Sequence, residues 1–483
     1  MAQDLPPSPN TPTGGSPNLS AGASSSAPAT LNLAAKLAFG SGDMGAGMTS
    51  NLIAFSFLIF LTSAAGLNPL AAGTVLLIGK VWDAVNDPMV GYLSDRFHTR
   101  WGRRYPWMFL GALPFGLTFF LMWLVPDLGQ TGKFWYYVLT SVLFQVFFTV
   151  VNLPYTTLTA ELTQNYDERT ELTAFRLASS LVGAIAALAL GLVVTQAVAD
   201  EQQQYLILGG LCAVLSVLPI FWCIFGTYPY AKKQFQAAAA AAEAEVDVPF
   251  LEQLRIVFAN RAFMFVVGIY MFAWLALQAT ASIIPFYATF WMGLDSYFLV
   301  ALLVQGVAIP MMFVVNLISK RVGKQGAFYI GIGTWLIVQI ALFFLQPGQT
   351  AALYLLCATA SFGVATAYVV PWAMLPDVIE LDELHTGQRR EGVFYAFMTL
   401  LQKFGLAGGL FLVGAALESS GFVSESTQQP ESALTAIRLF MGPMPMVLLI
   451  GALVLTRFYP LTRQAHQEIL LKLAERRQQQ EAP

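Results

Sequence analysis

Asp83 and Asp87 stand four residues apart in the run Lys80-Val-Trp-Asp-Ala-Val-Asn-Asp-Pro-Met-Val-Gly, a spacing that puts both carboxylates on one face of a helix. Asn86 flanks them and Lys80 lies one turn away. Their neighbours are apolar, and an acid at mid-bilayer costs roughly 2.5–3.5 kcal/mol on insertion scales. Two like charges on one face also repel each other. A purely structural ion pair would need a cation that neutralises both acids, and Lys80 offers one charge. The deficit suits a bound cation. Carboxylate and amide oxygens are hard ligands that suit Na⁺, although Li⁺ or H⁺ can share such a site.

Thr149 and Asn152, three residues apart, share a helix face and can offer neutral oxygens to a cavity, just ahead of Pro154-Tyr155. Lys403, in GVFYAFMTLLQKFGLAGG, is the basic residue set well inside an apolar block of the second half. An ammonium at that depth needs a counter-charge, and Asp83 or Asp87 across the bundle is the candidate. Further along, Gly91-Tyr-Leu-Ser-Asp95-Arg96-Phe-His-Thr-Arg100-Trp-Gly-Arg103-Arg104 resembles the signature between helices two and three of major-facilitator transporters. The resemblance implies a conformational latch. Lys320-Arg321-Val-Gly-Lys324 echoes it in the second half, as an internal repeat requires. Asp377 follows two prolines, Pro371 and Pro376, which predict a kinked or unwound helix end, and it is expected to latch to a nearby Lys or Arg.

The elements that must position these residues are membrane helices. Of 483 residues 56% are hydrophobic and 11% charged, where a soluble domain carries about a quarter charged. The apolar residues fall in blocks of bilayer length. Twelve spans are predicted at 37–64, 70–93, 106–126, 134–160, 173–198, 205–227, 262–288, 297–318, 326–345, 351–376, 392–416 and 437–459. The fold expected is an all-α membrane protein of twelve transmembrane helices in two six-helix bundles, the major facilitator fold. Its parts are a disordered cytoplasmic tail (1–33), a first bundle (34–228), a cytoplasmic loop with an amphipathic helix (229–261), a second bundle (262–460) and a tail helix (461–483). Basic residues gather on the loops that share a side with the termini, while Lys133 and Arg438 are the exceptions opposite. Both termini are therefore expected in the cytoplasm.

The 1–33 segment has no basic region before an apolar core and is not expected to be a signal peptide. Cys212, Cys223 and Cys357 lack metal or redox spacing and are expected to be small buried hydrophobes.

The WDAxxDP run, the RWGRRxPW run, the NxPY run on helix four and the helix-eleven lysine together resemble the glycoside–pentoside–hexuronide:cation symporters, over residues 36–460. The resemblance implies a sodium site at Asp83, Asn86, Asp87 and Thr149, with Lys403 coupling it to substrate. It implies a sugar pocket that this chain carries only in part. Gly47 stands where a helix-one aspartate is expected, with Asp43 one turn earlier. Asn152 replaces a helix-four aspartate, Thr156 a tryptophan and Tyr368 a helix-ten tryptophan. Arg176 keeps the helix-five arginine after a one-residue shift. PWAMLPDV on helix ten, FLMWLVPD at 120–127 and QKFG around Lys403 are similar to another branch, the sodium-dependent lysophosphatidylcholine symporters.

The function expected is cation-coupled symport by alternating access, in the plasma or inner cell membrane. The substrate expected is a glycoside or related sugar, with a lysophospholipid as the alternative. A monomer is expected, with no cofactor beyond the coupling ion and no nucleic-acid partner. A membrane enzyme is disfavoured, because no nucleophile elbow, HExxH or histidine cluster is present. A non-transporting sensor would lose the ion site or gain an output domain, and this chain does neither.

Overall fold

The computed structural model of the chain describes residues 31–96, 99–163, 165–238, 258, 260–387, 390–424 and 426–481. Among the described residues the regular structure is helical, with an isolated bridge between Thr99 and Gly102. In chain order the helices are α1 (Leu33–Ser41), α2 (Met44–Leu52), α3 (Pro69–Arg96), α4 (Tyr105–Leu121), α5 (Gln130–Leu162), α6 (Tyr166–Ala197) and α7 (Glu201–Ala238). There follow α8 (Arg261–Phe286), α9 (Phe298–Phe344), α10 (Thr350–Thr386), α11 (Glu391–Ser419), α12 (Glu431–Met441), α13 (Pro443–Phe458) and α14 (Arg463–Glu481). Seven of these helices, and α12 with α13 taken together, are each long and apolar enough to cross a bilayer. One of them, α9, holds two expected spans joined through Gly323, whose φ of 80° and ψ of 168° suit a residue without a β-carbon. The first three expected spans have other characters. The first is broken into α1, α2 and two π-helical turns, the second carries the acids, and α4 is short.

The first described residue, Leu31 beside Glu168, and α14 against the Leu384 end of α10 lie on the same side of the bundle, here called proximal. The opposite, distal end explains the two misplaced cations. Lys133 Nζ donates to the Ala65 carbonyl at 2.7 Å, Gln130 to Gly66 at 2.6 Å and Gln202 to Ala64 at 2.9 Å, all at the end of the first span. Helix-end carbonyls have no partner in their own helix and must find one elsewhere. Arg438 does the same for the Phe343 carbonyl at 2.8 Å, and its guanidinium lies 4.3 Å from the Trp291 ring centroid. Both are structural caps.

Three expectations of extent are corrected. The described structure begins at residue 31, inside the segment expected as a tail (1–33): Leu31 is buried and its N–H donates to Glu168, while Asn32 caps α1. α7 continues to Ala238, past the boundary expected at 228. α10 runs through Pro371 and Pro376 to Thr386 and ends at left-handed Gly387. Each proline removes one helical hydrogen bond, a small loss in a 37-residue helix whose lower part is packed by Met374, Leu375 and Val378. Residues 1–30 and 251–257, part of the expected tail and amphipathic helix, lie outside the described residues.

α4 shows how the bundle meets lipid. Leu110, Leu113 and Leu117 are each more than half exposed on one stripe, while Met108, Ala112, Phe115 and Phe119 are buried on the other. A tail-facing apolar stripe replaces the charged face that a soluble helix would need.

Candidate functional site

α3 belongs to the first half and α11 to the second, and glycines let them touch. A β-carbon on Gly414 would lie 2.6 Å from the Pro69 carbonyl oxygen and 3.0 Å from the Gly73 Cα. Gly79 is equally close to α5, since a β-carbon there would meet Ser141 Oγ at 2.3 Å. Small residues at helix crossings allow backbones to approach where no hydrophobic force drives packing. The two crossings set the carboxylate face of α3 between α5 and α11.

There Lys403 Nζ lies 2.5 Å from Asp87 Oδ2 and 3.0 Å from Asp83 Oδ2. Lys80 Nζ is 3.9 Å from Asp83 Oδ2. Thr149 Oγ1 is in donor range of Asp87 Oδ1 at 3.0 Å and Asp83 Oδ1 at 3.3 Å, and its single proton serves one of them at a time. Asn86 Nδ2 donates to the Gln145 carbonyl at 3.3 Å. Asp83, Asn86 and Thr149 are buried, while the Asp87 side chain is 34% exposed. Two carboxylates thus face two ammonium groups and the charges balance. The second cation that a structural pair would need is Lys403, delivered from the other half of the molecule.

The structure brings three of the expected cation ligands, Asp83, Asp87 and Thr149, together with Lys403, while the Asn86 amide turns to the Gln145 carbonyl. It adds one residue that the sequence reading missed. Gln145 is buried one turn before Thr149, and its Oε1 has no hydrogen-bond partner. Its i, i+4 relation to Thr149 was the available signal. Pro88 follows Asp87 and has no N–H to give the Ala84 carbonyl, which frees a further oxygen near the acids. Carboxylate, hydroxyl, amide and carbonyl oxygens make a hard donor set, and an orphaned buried amide oxygen fits a site with room for a cation.

The expected substrate residues fall into two groups. Asp43 sits at the break between α1 and α2, with Oδ2 4.0 Å from Arg176 Nε of α6, and that Nε has no hydrogen-bond partner. Gly47 cannot hold an aspartate as placed, because a β-carbon there would lie 2.0 Å from the Ser180 carbonyl oxygen. Asn152 is part-buried one turn beyond Thr149, and Thr156 Oγ1 donates to the Leu153 carbonyl of its own helix at 2.9 Å. In the second half, Tyr368 packs edge-on against Trp274 with centroids 5.4 Å apart. Tyr270, Trp274, Trp372 and Tyr395 continue the aromatic contacts toward the proximal end. Trp274 Nε1 donates to the Gln402 carbonyl beside Lys403 at 3.0 Å. The sequence reading missed this run, whose signal was the i, i+4 spacing of Tyr270 with Trp274 and of Tyr368 with Trp372.

The latch residues sit at the proximal end. Arg104 bonds Ser94 Oγ at 2.8 Å and Glu161 at 3.2 Å, and Arg103 reaches the same Glu161 oxygen at 3.5 Å. Arg96 lies over the Tyr92 ring at 4.0 Å, Arg100 is exposed, and the side chain of Asp95 is outside the described residues. In the second half Lys324 Nζ meets Asp377 Oδ1 at 2.6 Å. At the distal end the halves are tied by Tyr205 to Tyr297 at 3.3 Å, Thr195 to Ser296 at 3.1 Å and Asn68 to Glu418 at 2.6 Å. A cavity of ≈230 Å³ beside Tyr205 and Tyr297 is lined by residues other than those of the charge cluster.

Residues 38–463 match the family model described as MFS/sugar transport protein. The chain is 40% identical to an uncharacterized symporter of Synechocystis sp., covering 93% of this chain and 98% of that protein. It is 28% identical to sodium-dependent lysophosphatidylcholine symporter 1-A of Danio rerio, over 90% of this chain and 87% of that one. Among solved structures it resembles the nucleoside transporter NupG with a TM-score of 0.59 at 14% identity, covering 88% of this chain and 99% of that one, a likeness of fold.

Proposed function

This chain belongs to the family of MFS/sugar transport proteins and is a multi-pass symporter of the major facilitator type, and from that premise we propose that Na⁺ is its coupling ion and competes with Lys403 for Asp83 and Asp87. The observation that carries this reading is the Lys403 ammonium bridging both acids from the opposite half. With Lys403 in place the acids are neutralised and the halves are joined at mid-membrane. Na⁺ held by Asp83, Asn86, Asp87 and Thr149, with Gln145 as a further oxygen, supplies the same neutralisation from within the first half. Lys403 is then free to meet substrate, and the cross-half tie is released. Ion and substrate favour one state, and their coupling is reciprocal. Li⁺ and H⁺ are competitors for the same oxygens.

The substrate we propose is a glycoside or related sugar. Tyr368 and Trp372 offer ring faces for the apolar side of a pyranose, and Asp43 and Asn152 offer acceptors for hydroxyl groups. The Asp43–Arg176 pair favours a second reading, a lysophospholipid. Its charges match a zwitterionic headgroup, Gly47 leaves no room for a further acid, and the Danio rerio relative is named for such a lipid. The termini are proposed to face the cytoplasm, because basic residues gather at the proximal end.

Uptake of radiolabelled glycosides and of lysophospholipids into proteoliposomes, with and without a Na⁺ gradient, tests both parts. Na⁺-stimulated uptake that survives Asp87→Asn would sink the ion assignment, and the labelled class that accumulates decides the substrate.

A further inference from the structure

α14 leaves the last span and returns across the proximal end of the second half. Ile469 and Leu473 are buried beneath it, Arg463 Nη1 donates to the Lys320 carbonyl and Arg476 Nη1 to the Leu384 carbonyl, each at 3.2 Å. Gln325 Nε2 donates to the Tyr459 carbonyl at 3.0 Å. The helix therefore lies over the Gly323 break in α9 and the lower end of α10.

His466, in the first turn of α14, is the titratable group at that contact. Its Nε2 lies 2.5 Å from Glu380 Oε2 and 3.3 Å from Asp377 Oδ1, both on α10. From α9, Lys324 Nζ holds Asp377 Oδ1 at 2.6 Å and donates to the Ala373 carbonyl at 2.8 Å. From the segment before α14, the Tyr459 phenol lies near Asp377. Two carboxylates and one ammonium leave a deficit of one positive charge, which an imidazolium fills. A divalent metal fits the spacing less well. Two ligand atoms bound tetrahedrally at about 2.0–2.2 Å stand roughly 3.4 Å apart, whereas 2.5 Å is a hydrogen-bond separation. Lys324 also occupies Asp377 Oδ1, the oxygen that faces His466.

We infer that His466 is a proton sensor that straps α14 onto the proximal end of the second half. As imidazolium it donates to Glu380 and balances Asp377. As neutral imidazole it loses the charge-assisted contact and the strap loosens. Imidazole is the side chain whose charge changes between about pH 5 and 8. The sign follows: acidification on the side of the termini tightens α14, and alkalinisation releases it. Because Asp377 also holds Lys324, the proton on His466 biases the latch between α9 and α10.

The test uses the full-length protein in lipid nanodiscs, with spin labels at Val322→Cys and Leu471→Cys. Both positions are exposed and the native cysteines are buried. Electron–electron distances at pH ~5.5 and ~8, either side of the imidazole range, are expected to change from one narrow short distance to a broad distribution. The released fraction relative to docked is expected to rise about tenfold, the scale of one charge-assisted hydrogen bond. His466→Gln should be broad at both pH values and His466→Arg narrow at both. The arginine variant keeps the test decisive if the glutamine variant folds poorly. A wild-type distribution unchanged between the two pH values overturns the inference, as does a pH response retained in His466→Gln. Narrowing at pH ~8 by added Zn²⁺ but not by acid would overturn it in favour of a metal site.

Discussion

Gly73 and Gly414 face each other across the two halves so closely that a β-carbon on Gly414 would sit 3.0 Å from the Gly73 Cα. This crossing of α3 with α11 is what brings Lys403 to the acids. The charge cluster depends on it even though neither glycine touches an ion. Gly414→Val is expected to cost about 1–3 kcal/mol by overpacking and to abolish Na⁺-dependent uptake. Gly408→Ala on the same helix meets no atom closer than 3.6 Å and should be tolerated. Melting temperatures and uptake of the two variants make the comparison.

The Lys403 ammonium and Na⁺ are proposed to compete, which predicts an unusual gain. Lys403→Gln removes the competitor and leaves two acids facing Lys80 alone. Na⁺ should then bind about tenfold more tightly or better, a change of roughly 1.4 kcal/mol, while concentrative uptake is lost. Isothermal titration of Na⁺ into the purified variant reads the affinity. Weaker Na⁺ binding than wild type would show that the lysine assists the ion.

Much of this site is legible in the sequence, because charge in an apolar block is conspicuous. Asp83, Asp87 and Lys403 announce themselves by cost alone and Asn86 by its place beside them, whereas Thr149 joins them only through the family resemblance. Gln145 does not, since one amide in a helix is as often a helix–helix hydrogen bond, and only its unpartnered oxygen distinguishes it. The run from Tyr368 to Tyr395 is hidden for a different reason: aromatic residues abound in membrane helices, and which of them stack depends on how three helices pack. Pro371 and Pro376 mislead as helix stops because surrounding packing outweighs two lost backbone bonds. Lys133 and Arg438 read as charge-rule exceptions until the carbonyls that they cap are seen.

Gly47 is a packing residue before it is a missing acid. With Ser180 O 2.0 Å from its virtual β-carbon, α2 and α6 would have to separate to admit a side chain. Gly47→Asp is therefore expected to lower stability by about 1–3 kcal/mol and to confer no new sugar uptake. Gly47→Ala should show most of the same loss, because the clash begins at the β-carbon. Thermal melting of both variants in detergent separates this steric account from one based on charge.

The two acids are equal in charge and unequal in setting, so their amides should behave differently. Asp83 is 1% exposed and lies between Lys403 at 3.0 Å and Lys80 at 3.9 Å. Asp83→Asn leaves two ammonium groups with one carboxylate in a water-poor site. Breaking a buried pair in this way costs about 3–5 kcal/mol. The Asp87 side chain is 34% exposed, so water compensates part of the loss and Asp87→Asn should cost clearly less. Both variants should lose the Na⁺-induced rise in melting temperature, because each removes a carboxylate that the ion needs. Melting curves with Na⁺ and with a choline salt check the ranking. If Asp87→Asn proves the more damaging, the deeper acid is not the principal anchor of Lys403, and the exposed acid carries the tie between the halves.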